Sequence, residues 1–443
     1  MKQKAKRASA FVLASAIILS LTACTYVEPP ENDPGNTNTM YHGFMDSIMK
    51  GDNGYYYIGS YEKNGTVVAR EVPLFYDMKT GSSVILCGKP ECMHDGNEFC
   101  VATAHERWTV CFKECYSLYN GYIYRIYDCM LTSKEGYTGK NEIRVKRYDL
   151  RGNECSNLGC IMESITEGDE QMAEVANLIF HRGRLYFAMS NCDEGDLFWF
   201  DLETGEKKQI VIPKNEEGGR MSNPSGLVAE GDYFYYAIRY TKYVPNSHKT
   251  ENDVIYDKTV LRRYNILTEE TETISALPDI YSSFTVNDGI VYYTTVDRVE
   301  NTFSLYSYNI SEDKTTTIAD KLQQNYMDDK HLNGSARIIT DREYLYISTG
   351  YHSNRDKDSP EYENDFYIYS LDGEQLLHGL DNLPADIPKW SYQYKVLDGE
   401  IYMDFNDSSK QNDDTSDTIS GVYMIKTEDL INGSRDWTRL YKA

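Results

Sequence analysis

Asn120-Gly121-Tyr122-Ile123-Tyr124, followed downstream by Val145-Lys-Arg-Tyr-Asp149-Leu-Arg-Gly152-Asn-Glu154, are the two halves of a unit that recurs along this chain. In the first half a turn pair with glycine precedes a strand of alternating aromatic and β-branched residues, the period-two pattern of a half-buried strand. Glycine supplies the positive φ that a tight hairpin needs. In the second half an apolar strand ends on an aromatic and an Asx residue. The Asx side chain can accept from the backbone two residues on and open the next turn. Each copy therefore predicts two hairpins sharing a strand, a four-stranded antiparallel sheet.

First halves recur at Asn53-Gly54, Asn120-Gly121, Arg182-Gly183, Glu230-Gly231, Asp288-Gly289, Asp341 and Asp398-Gly399. Second halves end at Leu86, Glu154, Ile212, Ile274, Ile318 and Leu377, with a degenerate last copy from Val422 and a terminal Trp437-Thr-Arg-Leu-Tyr-Lys-Ala443. The spacing, somewhat longer than that of common propeller blades of ~40–50 residues, is explained by insertions between the halves, at 241–257, 351–364 and 406–420. Seven such sheets around an axis predict an all-β fold, a β-propeller of seven four-stranded blades, which protects its sheet edges by radial repetition. Six or eight blades, or two tandem β-sandwiches, are the alternatives. A sandwich gives no reason for the same pair of signals to recur seven times.

Upstream, the sequence changes character. Lys2, Lys4, Lys6 and Arg7 precede an uncharged, mostly apolar run from Ala8 to Leu21, too short for the ~20 residues of a spanning helix. Leu21-Thr22-Ala23-Cys24 then places small residues before a cysteine. The segment 24–39, with Pro29, Pro30 and Pro34 and few apolar residues, cannot bury a core and is expected to be a solvated tether, long enough to hold a folded body ~40 Å from a bilayer. The expected organisation is a signal peptide over 1–23, a lipidated tether over 24–39 and one propeller over 40–443.

These residues carry a resemblance. The tetrapeptide before Cys24 resembles the bacterial lipobox, and together with the tether and the recurring glycine–aromatic and aromatic–Asx units it is similar to the propeller lipoproteins of Gram-positive gut bacteria, with TolB-like or DUF5050-type repeats. The resemblance implies lipidation of Cys24, anchoring in a lipid bilayer and a place on the outer face of the bacterial cytoplasmic membrane. It names no reaction. An ordinary secretory signal, or an uncleaved anchor, is the alternative.

The body beyond residue 23 holds nine cysteines besides Cys24: 87, 92, 100, 111, 115, 129, 155, 160 and 192. Cys87, Cys92, His94 and Cys100 fall in one short stretch, and three thiolates with an imidazole make a tetrahedral zinc set. Disulfides suit an exported chain equally, with Cys111/Cys115 and Cys155/Cys160 able to pair locally or across loops. Zinc, disulfides and free thiols stay open at this point. Each would serve as a structural staple on the first two blades.

Loss of residues 1–23 removes four positive charges and moves the formal net charge from −24 to −28, which argues against nucleic acid. Nucleophile-elbow, zincin, P-loop and dinucleotide-binding motifs do not occur. The histidines at 42, 94, 105, 181, 248, 331, 352 and 378 are expected mainly at the surface or in turns. The 39 tyrosines are expected mostly in cross-strand pairs. A sharper reading gathers Tyr240, Tyr243, Tyr351 and Trp390 from the long loops into a stacking platform for sugars or peptides. The acidic runs Asp404–Asp407 and Asn412–Asp414 are expected to be solvated loops, with Ca²⁺ binding the sharper alternative. The expected function is a tethered module that binds a glycan, peptide or protein partner. A polysaccharide lyase or hydrolase, or an envelope scaffold, is the alternative.

Overall fold

In the computed structural model the described residues are 36–38 and 48–442, apart from 64–65, 95–99, 103–108, 134–135, 166–173, 191–196, 214–219, 222–223, 246–251, 279–280, 298–299, 301, 324–334, 351–364, 380–391 and 408–418. They form seven antiparallel sheets, one per repeat, over residues 49–85, 109–165, 174–210, 225–277, 281–323, 335–378 and 392–442. Within each sheet the strands lie side by side in chain order. The seven-bladed propeller is the observed fold.

Each blade is wedged against the next by one apolar cluster. In the second strand of blade 3, Arg184–Ser190, Leu185, Phe187 and Met189 face blade 2, while Tyr186 and Ala188 face blade 4. Successive side chains of a strand point to opposite faces, and here both faces are buried, so the strand is an unbroken apolar run. Tyr186 stacks on Phe234 of blade 4 at 5.0 Å, and Tyr119 of blade 2 on Phe180 of blade 3 at 5.4 Å.

Blades 1 and 7 share no strand: each is built wholly from its own end of the repeat array. Their apolar cluster, with Ile48, Tyr55, Tyr57, Leu74, Tyr402, Val422 and Leu440, closes the ring. Around it, buried Glu400 accepts from Tyr55 Oη at 3.3 Å and from Tyr402 Oη, and pairs with Lys50 Nζ at 3.2 Å. Lys395 Nζ donates to Ile48 O at 3.1 Å.

The turns form as the repeat implies. Asn120-Gly121, Arg182-Gly183, Asp288-Gly289 and Asp398-Gly399 all have positive φ at both residues, the signature of a type I′ hairpin. At the other turn the Oδ1 of Asp77, Asp149, Asp201, Asn265 and Asn309 accepts from the backbone N–H two residues on, at 2.8–3.0 Å. Blade 7 replaces that turn with a single-turn helix, Thr427–Ile431, ahead of its last strand, Thr438–Lys442.

Two strands depart from the repeat. Arg220–Met221 extends the first position of blade 4. Asn36–Asn38, within the segment expected to be a solvated tether, pairs antiparallel with the first strand of blade 3, Asn36 opposite Phe180 and Asn38 opposite Leu178.

Candidate metal centre and the two ends of the ring

Blade 1 ends on a short strand where its neighbour, blade 2, ends on a long one. Its fourth strand is Ser82–Ile85, whereas blade 2 ends on Cys155–Ile165. The connection that follows, from Leu86, fills the wedge that a longer strand would cover: Leu86 and Val101 pack with Tyr116, Ile123 and Tyr148 of blade 2. On the other side, Cys100 and Ala102 pack with Tyr55, Leu74 and Tyr402.

This connection crosses the Asp149–Glu154 turn of blade 2 at van der Waals contact. Gly88 N donates to Gly152 O at 2.8 Å. A Cβ on Gly88 would lie 2.4 Å from Asn153 Oδ1 and 2.6 Å from Arg151 O, so only glycine fits.

From this crossing the chain brings Cys87, Cys92, His94 and Cys100 together, with one ligand atom of each within 4.8 Å of all the others. Cys100 is fully buried, and its Sγ lies 3.5 Å from His94 Nδ1. His94 adopts φ 54°, a left-handed conformation uncommon outside glycine. Backbone hydrogen bonds from Lys89 and Val101 reach the Cys87 thiol, and one from His94 reaches Cys92. Burial opposes ionisation of Cys87, but those backbone bonds and the Cys92 and Cys100 thiols outweigh it and hold Cys87 below the ordinary thiol range. Burial, reinforced by hydrogen bonds with Cys100 and Cys87, pushes Cys92 up to about 11. Cys87 and His94 also line a cavity of about 530 Å³ with Tyr56, Phe75, Leu86 and Arg151. Among the described residues this is the one convergence of three or more His, Cys, Asp or Glu ligand atoms.

Among the described residues the alternative staple is not formed: Cys87, Cys92, Cys100, Cys115, Cys155 and Cys160 make no disulfide. Local pairing of Cys111 with Cys115, or of Cys155 with Cys160, is ruled out by geometry. Each pair lies in a single strand, Thr109–Tyr119 or Cys155–Ile165. Four or five extended residues span ~13 Å or more, against the ~7 Å limit between bridged Cα atoms. The Cα partner of Cys111 is Cys129, in the neighbouring strand.

Other expected site residues fall differently. Tyr240 is no loop aromatic: it lies in the strand Tyr233–Pro245, buried, donating to Pro213 O and accepting from Arg262 Nη2, both at 3.0 Å. The hairpin strands run on through what the polar sequence marked as an insertion. Tyr243 belongs to the same strand, and Tyr351 and Trp390 lie outside the described residues. Asp404–Asp407 is likewise strand, part of Glu400–Asp407, and 412–414 lies outside the described residues. His181 is fully buried, its Nε2 2.8 Å from Gly231 O of the next blade. His378 stacks on Tyr367 at 4.3 Å. His42, His105, His248, His331 and His352 lie outside the described residues, as does Cys24.

The ring has two unlike ends. Because the strands alternate in direction, connections between first and second strands, and between third and fourth, share one end. These are short turns such as 120–121, 150–154, 182–183 and 202–206. The strand ends at 165 and 174, 323 and 335, 350 and 365, 378 and 392, and 407 and 419, between which the longer connections run, lie at the opposite end, whereas the connection from Leu86 crosses the short turn 150–154. Sequence reasoning marked 351–364 and 406–420 as insertions but did not see that such connections start from one end, a property of strand direction.

No protein-family model matches this chain, and no curated protein is significantly similar to it. Among solved structures it is similar to the acylaminoacyl peptidase of Pyrococcus horikoshii, at 13% identity and a TM-score of 0.44 over 75% of this chain and 46% of that one. It is similar to an oligogalacturonate lyase in complex with manganese, at 12% identity and 0.41 over 72% and 74%. It is also similar to TolB from Acinetobacter baumannii, at 9% identity and 0.35 over 86% and 76%. This chain thus spans less than half the length of the peptidase. The seven-bladed ring itself rests on the strand order above.

Proposed function

We propose that this chain is a lipid-anchored binding module, held by Cys24 on the outer face of the bacterial cytoplasmic membrane. It grips a glycan, peptide or protein partner with the end of the ring that carries the long connections. The carrying observation is the asymmetry of the ring: hairpin and Asx turns close one end, and the strand ends that lead into the long polar connections lie at the other. Binding residues concentrate on loops positioned by a rigid scaffold.

The strand Asn36–Asn38 supports a definite orientation. It runs antiparallel to the first strand of blade 3, so the chain before Asn36 leaves beside the Arg182-Gly183 turn, at the short-turn end. The twelve residues 24–35 reach at most ~40 Å. Lipid on Cys24 would hold the short-turn end towards the bilayer and the long connections towards the medium.

A glycan and peptide array probed with the Cys24→Ser chain tests the binding reading. Specific capture of one ligand class is expected, and the absence of any capture across both arrays contradicts it. Cys24→Ala is expected to release the chain into the medium. Continued membrane retention would overturn the anchor.

A further inference from the structure

We propose that Cys87, Cys92, His94 and Cys100 bind one Zn²⁺ in a closed, four-coordinate structural site that fastens blade 1 to blade 2. The site is separate from the proposed binding end and does not depend on that reading.

Geometry carries the assignment. Zinc bound at Zn–S ~2.3 Å and Zn–N ~2.0–2.1 Å places its ligand atoms at the corners of a tetrahedron with N···S edges of ~3.6 Å and S···S edges of ~3.8 Å. The Cys100 Sγ to His94 Nδ1 separation of 3.5 Å is already such an edge. The other ligand atoms, all within 4.8 Å of one another, need to close by about 1 Å at most. A disulfide instead requires two sulfurs ~2.05 Å apart, and it would leave the third thiol and the imidazole facing each other with no shared role.

The surroundings fit a metal as well. Cys100 is fully buried against Tyr55, Leu74 and Tyr402, which close the ligand cluster on that side. Backbone N–H groups of Lys89, His94 and Val101 bond to the ligand sulfurs, the outer shell that orients metal-bound thiolates. The left-handed backbone at His94 is a local strain of the kind that persists where the surroundings over-determine it. Three soft sulfurs with one imidazole select zinc among common divalent ions. With four protein ligands no position remains for water, so the ion is structural. Its mechanical role follows from the short fourth strand of blade 1. Zinc ties the connection that replaces that strand, next to the Gly88–Gly152 crossing onto blade 2.

The test uses the full chain purified in detergent without chelators. Elemental mass spectrometry should find one zinc per chain, retained in Cys160→Ser and lost in Cys92→Ser. Should Cys92→Ser fail to fold, native-state alkylation of the unaltered chain decides alone. Cys87, Cys92 and Cys100 should stay unlabelled until a strong chelator is added, which should also lower the Tm by ~5 °C or more. Exchange with Co²⁺ should give thiolate-to-metal absorption and intense visible bands of tetrahedral cobalt. Substoichiometric zinc with freely labelled thiols, iron in its place, or a disulfide peptide joining two of the three cysteines would each overturn the proposal.

Discussion

Gly88 sits where two backbones cross, and the lack of a side chain there is a packing requirement. A methyl group would overlap Arg151 O, a main-chain atom that cannot rotate away. Gly88→Ala should therefore cost ~1–3 kcal/mol, as over-packing does, seen as a lowered denaturant midpoint; an unchanged midpoint would show that the crossing is loose. Glu400 is the complementary case, one buried carboxylate serving Tyr55, Tyr402 and Lys50. Glu400→Ala leaves buried hydroxyls without their acceptor and should cost ~2–3 kcal/mol, whereas a cost below ~0.5 kcal/mol would remove it from ring closure. Neither role is legible in sequence, because Tyr55 and Glu400 lie 345 residues apart and Gly88 resembles any loop glycine. The ligand types of Cys87, Cys92, His94 and Cys100 are legible, since they fall in one short stretch. Their convergence is not, because it depends on a connection folded back against blade 2. Tyr240 and His181 were misplaced for one reason: polar and aromatic residues beside a turn or a polar stretch look like loop, yet interblade packing buries them.

At the scale of the element, the repeat was legible because its determinants are local. An Asx side chain two residues from its donor, and a left-handed pair at a hairpin, need no knowledge of the rest of the chain. Asp201 accepts from both Glu203 N and Thr204 N. Asp201→Ala should destabilise the chain by ~0.5–1.5 kcal/mol, while Asp201→Asn, which keeps the acceptor, should stay near the parent in chemical denaturation. Equal losses for both would assign the effect to charge instead of the turn. The turns of neighbouring blades also brace one another. Tyr119 Oη accepts from Gly183 N at 2.8 Å, and Glu230 accepts from Gly289 N at 3.0 Å and from Asp288 N. These contacts link hairpins 59 and 64 residues apart, beyond the reach of a local pattern.

At the scale of the molecule, the abundant tyrosines make ring stability depend on alkaline pH. Burial is the main cause that pushes Tyr235, Tyr236 and Tyr394 up to about 12, and it raises Tyr148, Tyr186, Tyr346 and Tyr402 as well. The unfolded chain releases phenolic protons near pH 10 that the folded chain keeps. Stability from these groups is therefore full below about pH 10 and falls as pH rises towards 12. Urea midpoints should hold between pH 8 and 9.5 and then drop, with phenolate absorbance appearing together with unfolding; a flat midpoint to pH 12 would contradict this.

The same whole-ring view separates a hairpin-closed end from the end where the strands leading into the long connections stop, and the proposed function rests on that separation. The most direct measurement compares ligand capture by the parent Cys24→Ser chain with two variants of it. One has 351–364 and 408–418 replaced by tight turns; the other has the short-turn residues Glu203, Thr204 and Glu206 changed to alanine. A binding end made of the long connections predicts capture lost in the first variant and kept in the second, with both folded by circular dichroism. Capture kept in the first and lost in the second would place the ligand at the opposite end and contradict it.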